Sequence, residues 1–239
     1  MKKIPDGKID MILCDLPYGI TGCNWDTAIP LEELWNQYKR ITKKGSAIVL
    51  TASQPFTSAL VMSNPKWFKH EWIWKKNAGS NFGAVKYQPM KEHESVIVFG
   101  DGKINYFPIM QERAESGKKR VESVVNYNTK TDVYETSLHN KVSSKRPDLR
   151  YPSSVQNFNR DRGFHPTQKP LDLFEYLIKT YTKEGDLVLD NCVGSGTTLI
   201  ASKNTNRKAV GIELEEKYCE IAKNRILKAS DSNGCKTTS

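Results

Sequence analysis

The sequence predicts an α/β fold built on a doubly wound, mostly parallel sheet that carries one basic insertion. Three observations predict it. Short apolar runs of strand length alternate with stripes of helical spacing at both ends of the chain. A strand near the C-terminus leads straight into a glycine turn and a helix, and a long basic stretch with no apolar period separates the two halves. A chain of 239 residues, 38% of them hydrophobic, can bury one sizeable core and still hold such an insertion.

The elements follow in order. IDMILC (9–14) is an apolar run of strand length, and the Asp15-Leu16-Pro17-Tyr18-Gly19 that follows it cannot continue a strand. Leu31, Leu34, Trp35 and Tyr38 fall at helical spacing, with a stop expected at Lys43-Lys44-Gly45, and SAIVLT (46–51) resumes strand character. A strand, helix, strand rhythm means parallel pairing. A helix over 55–62, a strand around 71–74 and a strand in ESVIVFG (94–100) come next. After 165 the order returns: Phe174, Leu177, Ile178 and Tyr181 mark a helix, DLVLD (186–190) a strand, 197–204 a helix, KAVGIE (208–213) a strand and 215–229 a final helix. One α/β domain is therefore expected over 1–100 and 165–229, with an inserted segment over 101–164 and a disordered polar tail over 230–239.

The insertion is read as having little core of its own and as partly mobile when unbound. It carries Arg113, Lys118, Lys119, Arg120, Lys130, Lys141, Lys145, Arg146 and Arg150, interleaved with tyrosines at 106, 127, 134 and 151. A net charge of +9 points the same way, toward a polyanionic partner, because basic surface displaces counterions from a nucleic acid. No apolar run approaches the roughly 18 residues of a membrane span. Asp6, Lys8 and Asp10 also fall where a signal peptide keeps its apolar core, so a soluble cytoplasmic protein without a membrane partner is expected. Cys14, Cys23, Cys192, Cys219 and Cys235 are odd in number, scattered and without CxxC spacing, which indicates free thiols and neither zinc nor disulfides.

Two turns carry the chemistry. DLVLD enters Asn191-Cys192-Val193-Gly194-Ser195-Gly196-Thr197-Thr198 and then a helix, the context in which glycines let a ligand approach the backbone. Leu199 stands where a dinucleotide fingerprint has its third glycine, and there is no GxxxxGK, so phosphate cradling is disfavoured. Glu213 ends the next strand about twenty residues on, where an acid commonly accepts hydrogen bonds from a ribose diol, so a ribonucleoside without phosphates is expected. Taken alone, GSG is also a tight strand-to-helix turn and Glu213 a solvated strand end.

The DLPYG turn lies past the first strand, on the same carboxyl edge of an open parallel sheet. Methylating an aromatic amine is hard because the nitrogen lone pair is delocalised into the ring. A carboxylate from Asp15 and the carbonyl of Leu16 can accept the two amino hydrogens and hold that nitrogen pyramidal and nucleophilic. Pro17 restricts Leu16 and aims its carbonyl, and Tyr18 can stack on a base swung out of the duplex. No metal and no covalent nucleophile is needed. An isolated DLPYG is equally an ordinary turn with a capping Asp.

Together these residues resemble the DNA amino-methyltransferases of the beta arrangement, in which the catalytic turn precedes the recognition segment and the cofactor turn comes last. Asp15-Leu16-Pro17-Tyr18 is similar to the DPPY motif, His165-Pro166-Thr167-Gln168-Lys169-Pro170 to HPTQKP, and Asp190 to Thr197 to DPFxGSGT; Glu94 to Phe99, after Lys91 and His93, resembles a further family strand. The resemblance covers nearly everything outside the insertion. It implies a Rossmann-like S-adenosylmethionine-dependent methyltransferase fold and methyl transfer from S-adenosylmethionine to adenine N6 in double-stranded DNA, with a homodimer as the assembly. It implies Asp190, Cys192, Gly194, Gly196 and Thr197 around the methionine part of the cofactor, Glu213 at its ribose, and Thr167 and Lys169 on the neighbouring wall. The insertion corresponds to the target-recognition region.

Leu16 replaces the first proline of DPPY, and Asn191 and Cys192 replace Pro and Phe of the cofactor turn. Family members usually carry a further strand, ending in an acid near the cofactor adenine, before the catalytic one. Eight residues precede Ile9 here, so either the start of the chain is truncated or the site lacks one support. Two alternatives stand beside the adenine reading. One is a cytosine N4 methyltransferase, against which the acidic Asp15 argues; the other is a non-catalytic DNA-binding protein with a decayed cofactor site.

Overall fold

The computed structural model describes residues 1–19, 29–122, 148–161 and 168–231. The chain forms two compact units, Met1–Phe107 with Ser154–Ser239, and Pro108–Ser153. Among the described residues the first unit contains β1 (Ile9–Asp15), α1 (Leu31–Ile41), β2 (Thr42–Ala52), α2 (Phe56–Ser63), β3 (Phe68–Ser80) and β4 (Lys91–Phe99). The second contains β5 (Gln111–Glu112), α3 (Glu115–Glu122) and β6 (Leu149–Arg150). The first unit resumes with β7 (Val155–Phe158), α4 (Leu171–Tyr181), β8 (Leu187–Asp190), α5 (Thr197–Asn204), β9 (Lys208–Gly211) and α6 (Glu216–Asp231).

The large sheet has the order β7-β3-β4-β2-β1-β8-β9. β1 runs parallel to both β2 and β8, and β8 parallel to β9. The one strand of opposite sense is β4, antiparallel to β2 and to β3. Its direction follows from its connection: no crossover helix separates β3 from β4, and a short link can join only antiparallel neighbours. Alternation along the strands feeds two cores. Ile12, Cys14, Ile48, Leu50, Ile97 and Phe99 meet Leu34, Trp35, Tyr38 and Ile41 of α1 and Leu60 of α2. Met11, Leu13, Ala47, Val49, Trp72, Trp74, Val96 and Val98 meet Leu173, Phe174, Leu177, Ile178 and Tyr181 of α4 and Ala201 of α5. Helices therefore cover both faces, as in a doubly wound sheet.

Several boundaries differ from the sequence-based expectation; β4 begins at Lys91, and β9 ends at Gly211, which leaves Glu213 two residues beyond the strand it was expected to end. α1 ends at Ile41, not at 43–45, because the hydroxyl of Thr42 donates to the Tyr38 carbonyl and β2 begins there. Gly45, at φ +84°, serves a β-bulge: Ile9 faces Thr42 while Met11 already faces Ala47, so β2 absorbs surplus residues that only a left-handed position accommodates. The strand expected around 71–74 extends over thirteen residues. Finally, the edges of the inserted segment belong to the first unit. Phe107 donates its N–H to the Thr180 carbonyl at 2.7 Å, and β7 pairs parallel with β3 from Ile73–Val155 to Lys76–Phe158. The second unit, 108–153, is thus shorter than the 101–164 read from composition.

Within that second unit β5 and β6 form a two-stranded antiparallel ribbon. Arg113 closes it, its N–H donating to the Asp148 carbonyl at 2.7 Å and its Nη2 to the Leu149 carbonyl at 2.8 Å. Lys130, Lys141, Lys145, Arg146, Tyr127 and Tyr134 lie outside the described residues, as do Cys23, Cys235 and the tail from 232. Among the described residues no helix is long and apolar enough to cross a membrane.

Candidate active site

The order of strands reverses between β1 and β8. Chain connections leave these neighbours in opposite directions, which opens a crevice at their carboxyl ends. The residues that reach this edge are set by the two-residue period of the strands. On the α4 side Met11 and Leu13 lead to Asp15, Val49 to Thr51, Val188 to Asp190 and Trp74 to Lys76, while on the oppositely running β4 Val98 and Val96 lead to Glu94. Every one of these apolar rows thus ends in one polar residue at the same edge, with Asp15 facing Thr51 in the ladder and Trp74 facing Glu94.

Asp15 is held from three sides. The Thr51 hydroxyl and the Tyr18 phenol, the latter at 3.0 Å, donate to Oδ1, and Lys169 Nζ donates to Oδ2 at 2.7 Å. A carboxylate offers about four acceptor positions, so one lone pair of Oδ2 is left for a further donor. Leu16, next along, is buried at 3% exposure, which fixes the peptide whose carbonyl stands beside that carboxylate. Tyr18 stacks on Phe56, ring centroids 5.2 Å apart, and Lys169 Nζ lies 5.7 Å from its ring centre. Burial, reinforced by the Asp15 carboxylate, pushes the Tyr18 phenol well above its ordinary pKa, so it stays a neutral donor.

The glycine turn has the same architecture of fixed backbone. Asp190, 3% exposed, accepts the Cys192 N–H at 2.9 Å and the Thr198 hydroxyl, tying the end of β8 to the start of α5. Burial pushes its carboxyl up to about 6, although both hydrogen bonds pull the other way. Glu213 bridges β9 to the turn: its Oε2 accepts the Gly194 N–H at 2.7 Å, and its Oε1 the N–H groups of Leu214 and Glu215 at 2.9 and 3.0 Å. Gly194 and Gly196 are both left-handed, at φ +51° and +87°, for different reasons. A Cβ on Gly196 would stand 2.9 Å from Ala222 Cβ on α6, whereas a Cβ on Gly194 would meet nothing within 4 Å. Open space over Gly194, between the buried Val193 and Ser195, is a cradle that a side chain would fill. It fits a nucleoside-type ligand lying against bare backbone. Among the described residues no group of His, Cys, Asp and Glu could hold a metal ion.

Asn191, where a proline was expected by resemblance, has its own support. The Tyr38 hydroxyl donates to Asn191 Oδ1 at 2.6 Å, and Tyr38 itself is completely buried under β1. Removing that hydroxyl takes a donor from the half-buried amide oxygen, so Tyr38→Phe is expected to destabilise the protein by about 0.5–1.5 kcal/mol, read as a lower denaturation midpoint. An unchanged midpoint would mean that Asn191 finds another donor.

The structure brings Asp15, Leu16, Pro17 and Tyr18 to the tip of β1, and Asp190, Cys192, Gly194, Gly196 and Thr197 to the neighbouring tip of β8, with Glu213 beside them. The parallel ladder that pairs Met11 with Val188 and Ile12 with Leu189 sets the two tips side by side. Thr167, with His165 and Pro166, lies outside the described residues. Lys169 pairs with Asp15 and Glu94. Thr51, Glu94, Lys76 and Tyr38 were missed by motif reading. The one signal for the first three was that each is the polar residue ending the apolar row of its strand on the α4 face.

The N6_N4_Mtase family, described as DNA methylase, matches residues 9–224. The type II methyltransferase M.HpaI of Haemophilus parainfluenzae is 26% identical over an alignment that takes in 98% of this chain and 72% of that protein. Among solved structures, the M1.HpyAVI–SAM complex superposes with a TM-score of 0.64 at 23% identity, covering 92% of this chain and 89% of that one. The cytosine-N4-specific PvuII DNA methyltransferase does so with 0.61 at 14% identity, covering 96% and 86%. At such identities the two structures speak for the fold, that of the S-adenosylmethionine-dependent DNA methyltransferases. The family match itself runs from the first residue of β1 into α6, and on that ground the chain belongs to the N6/N4 DNA methylase family.

Proposed function

We propose that this protein transfers a methyl group from S-adenosylmethionine to adenine N6 in double-stranded DNA. The observation that carries the reading is the free acceptor position on Asp15 Oδ2, at the tip of β1, beside an open glycine turn at the tip of β8. When bound, S-adenosylmethionine supplies an electrophilic methyl on a sulfonium sulfur. Asp15 and the Leu16 carbonyl accept the two amino hydrogens, which draws the nitrogen lone pair out of the ring and aims it at the cradle. The work is positioning and fixed electrostatics, with no covalent intermediate on the protein. Asp190, Cys192, Gly194, Gly196 and Thr197 form the cofactor cradle. Glu213 keeps acceptor capacity on Oε2 for a ribose hydroxyl.

Two features support DNA as the substrate. The net charge of +9 suits a phosphate backbone. The link between β3 and β4 leaves Phe82, Tyr87 and Met90 exposed, with Lys86 among them. It starts where β3 and β4 run on beyond the Ala52–Ser95 pair as far as Ser80 and Lys91, and the Lys91 ammonium reaches back to the Ser53 hydroxyl just past the end of β2. Aromatic rings left in water beside such a site are contact groups for bases. In the second unit, Arg113, Arg150 and the exposed Tyr151 supply further groups of the kind that meet phosphates and bases, and target recognition is assigned there.

The acidic first residue of the turn favours adenine. Incubation of the protein with labelled S-adenosylmethionine and unmodified genomic DNA, followed by digestion and mass analysis of the nucleosides, is expected to yield N6-methyladenine. N4-methylcytosine would move the target to cytosine. Binding of both ligands with no transfer would instead make this a DNA-binding protein with an idle cofactor site.

A further inference from the structure

We infer that Lys169 is a positioning residue for the target amine and no part of the cofactor wall, and that Glu94 and Lys76 extend it into a buried chain of alternating charges that fixes the Asp15 carboxylate. The inference rests on the methyl-transfer reading of Asp15.

Lys169 immediately precedes Pro170, whose φ of −61° and place at the start of α4 fix where the lysine side chain departs. It enters the row of polar strand ends on the α4 face. Nζ reaches Asp15 Oδ2 at 2.7 Å and Glu94 Oε2 at 3.4 Å, and Lys76 Nζ holds Glu94 Oε1 at 2.6 Å. The side chains of Lys169 and Lys76 are each 7% exposed and that of Glu94 16%. Two cations and two carboxylates in such a space are tolerable only together, since removing one strands a charge away from water. Burial opposes the Lys169 ammonium, yet Asp15, with Tyr18 and Glu94 behind it, more than offsets this and holds its pKa above that of an ordinary lysine. Burial likewise works against the Glu94 carboxylate, but Lys169 and Lys76 keep it below its usual range. Lys169 and Glu94 thus each favour the charged form of the other.

The arrangement has a geometric consequence for Asp15. Thr51 and Tyr18 pull on Oδ1 and Lys169 pulls on Oδ2, so the carboxylate plane cannot turn. Glu94, gripped from the far side by Lys76, sets its Oε2 3.4 Å from the Lys169 ammonium as a fixed counter-charge, while the hydrogen bond of that ammonium goes to Asp15. Among the described residues both ion pairs of Lys169 run to β1 and β4 and none to the glycine turn.

The test compares Lys169→Met, Lys169→Arg and Glu94→Gln with the wild type for S-adenosylmethionine Kd by calorimetry, for kcat and DNA KM, and for thermal midpoint. Glu94→Gln keeps the shape of the side chain and removes only its charge, so it serves where Lys169→Met fails to fold. Lys169→Met and Glu94→Gln are expected to lose roughly 100-fold in kcat, the scale of an ångström-sized misplacement, while the cofactor Kd stays at the wild-type value. Lys169→Arg is expected to recover part of the loss, because it restores a cation against both carboxylates. An active wild type whose Lys169→Met or Glu94→Gln keeps kcat overturns the inference alone. So does a variant that weakens the cofactor Kd and turns over normally once saturated. A wild type that binds S-adenosylmethionine and DNA yet transfers nothing overturns the methyl-transfer reading, and this inference with it.

Discussion

Asp15→Ala is expected to lower methyl transfer by roughly 1,000-fold or more, at the upper end of what one fixed electrostatic partner of a transition state contributes, while S-adenosylmethionine binds as before. The split follows from the geometry. Asp15 lies at the tip of β1 and makes its contacts with Thr51, Tyr18 and Lys169, whereas the cradle is built from β8, the start of α5 and Glu213. The carboxylate also answers the Lys169 ammonium, so its loss costs stability, softened because Glu94 still pairs with that lysine. Asp15→Asn separates the two effects: it keeps an acceptor oxygen and the shape while halving the acceptor capacity. Turnover is expected to fall for the asparagine variant as well, but less far, with a thermal midpoint nearer the wild type. Single-turnover transfer with labelled cofactor reads the rate, calorimetry the binding. Wild-type turnover in Asp15→Ala would remove Asp15 from the chemistry.

What was legible in the sequence followed from local pattern, and what was not depended on partners far along the chain. The strand at 187–190, the helix at 197–204 and the turn between them are visible because β-branched and leucine residues, two glycines and a threonine pair occur in immediate succession. The reverse sense of β4 is invisible in ESVIVF, since an apolar strand buried on both faces reads the same in either direction. β7 escaped notice because VQNF is short and half polar; it becomes a strand only through the ladder it forms with β3. HPTQKP drew attention as a motif, but nothing near Lys169 shows that its partner is Asp15, 154 residues earlier. Tyr38 was legible as one member of an apolar helical stripe, and its hydroxyl acquires a role only when Asn191 folds against it, 153 residues on. The polar residues that end the apolar rows of β1, β2, β3, β4 and β8 on the α4 face were in plain sight. They become one site only once the strand order β3-β4-β2-β1-β8 sets them side by side.

Gly194→Val and Gly196→Val are expected to fail in opposite ways, although the two glycines sit two residues apart in one turn. Both hold φ values that a β-branched residue adopts only at a cost of roughly 1–2 kcal/mol. At Gly196 the new Cβ also runs into Ala222 on α6, at 2.9 Å from its Cβ and 3.2 Å from its Cα, and overpacking of that kind adds about 1–3 kcal/mol. That variant is expected to lose thermal midpoint first, with any loss of binding following from the fold. At Gly194 no protein atom lies within 4 Å of the added Cβ, so the fold bears only the backbone strain. The side chain instead occupies the space over the turn, beside the N–H that Glu213 holds. Loss of S-adenosylmethionine affinity beyond roughly 100-fold, about 2.8 kcal/mol, is therefore expected from a protein that still unfolds cooperatively near the wild-type midpoint. Calorimetric titration and thermal denaturation of the two variants together decide it. A folded Gly194→Val that binds S-adenosylmethionine with wild-type affinity would place the cofactor somewhere other than over this turn, and the neighbourhood of Asp15 and the cradle would lose its chemical meaning.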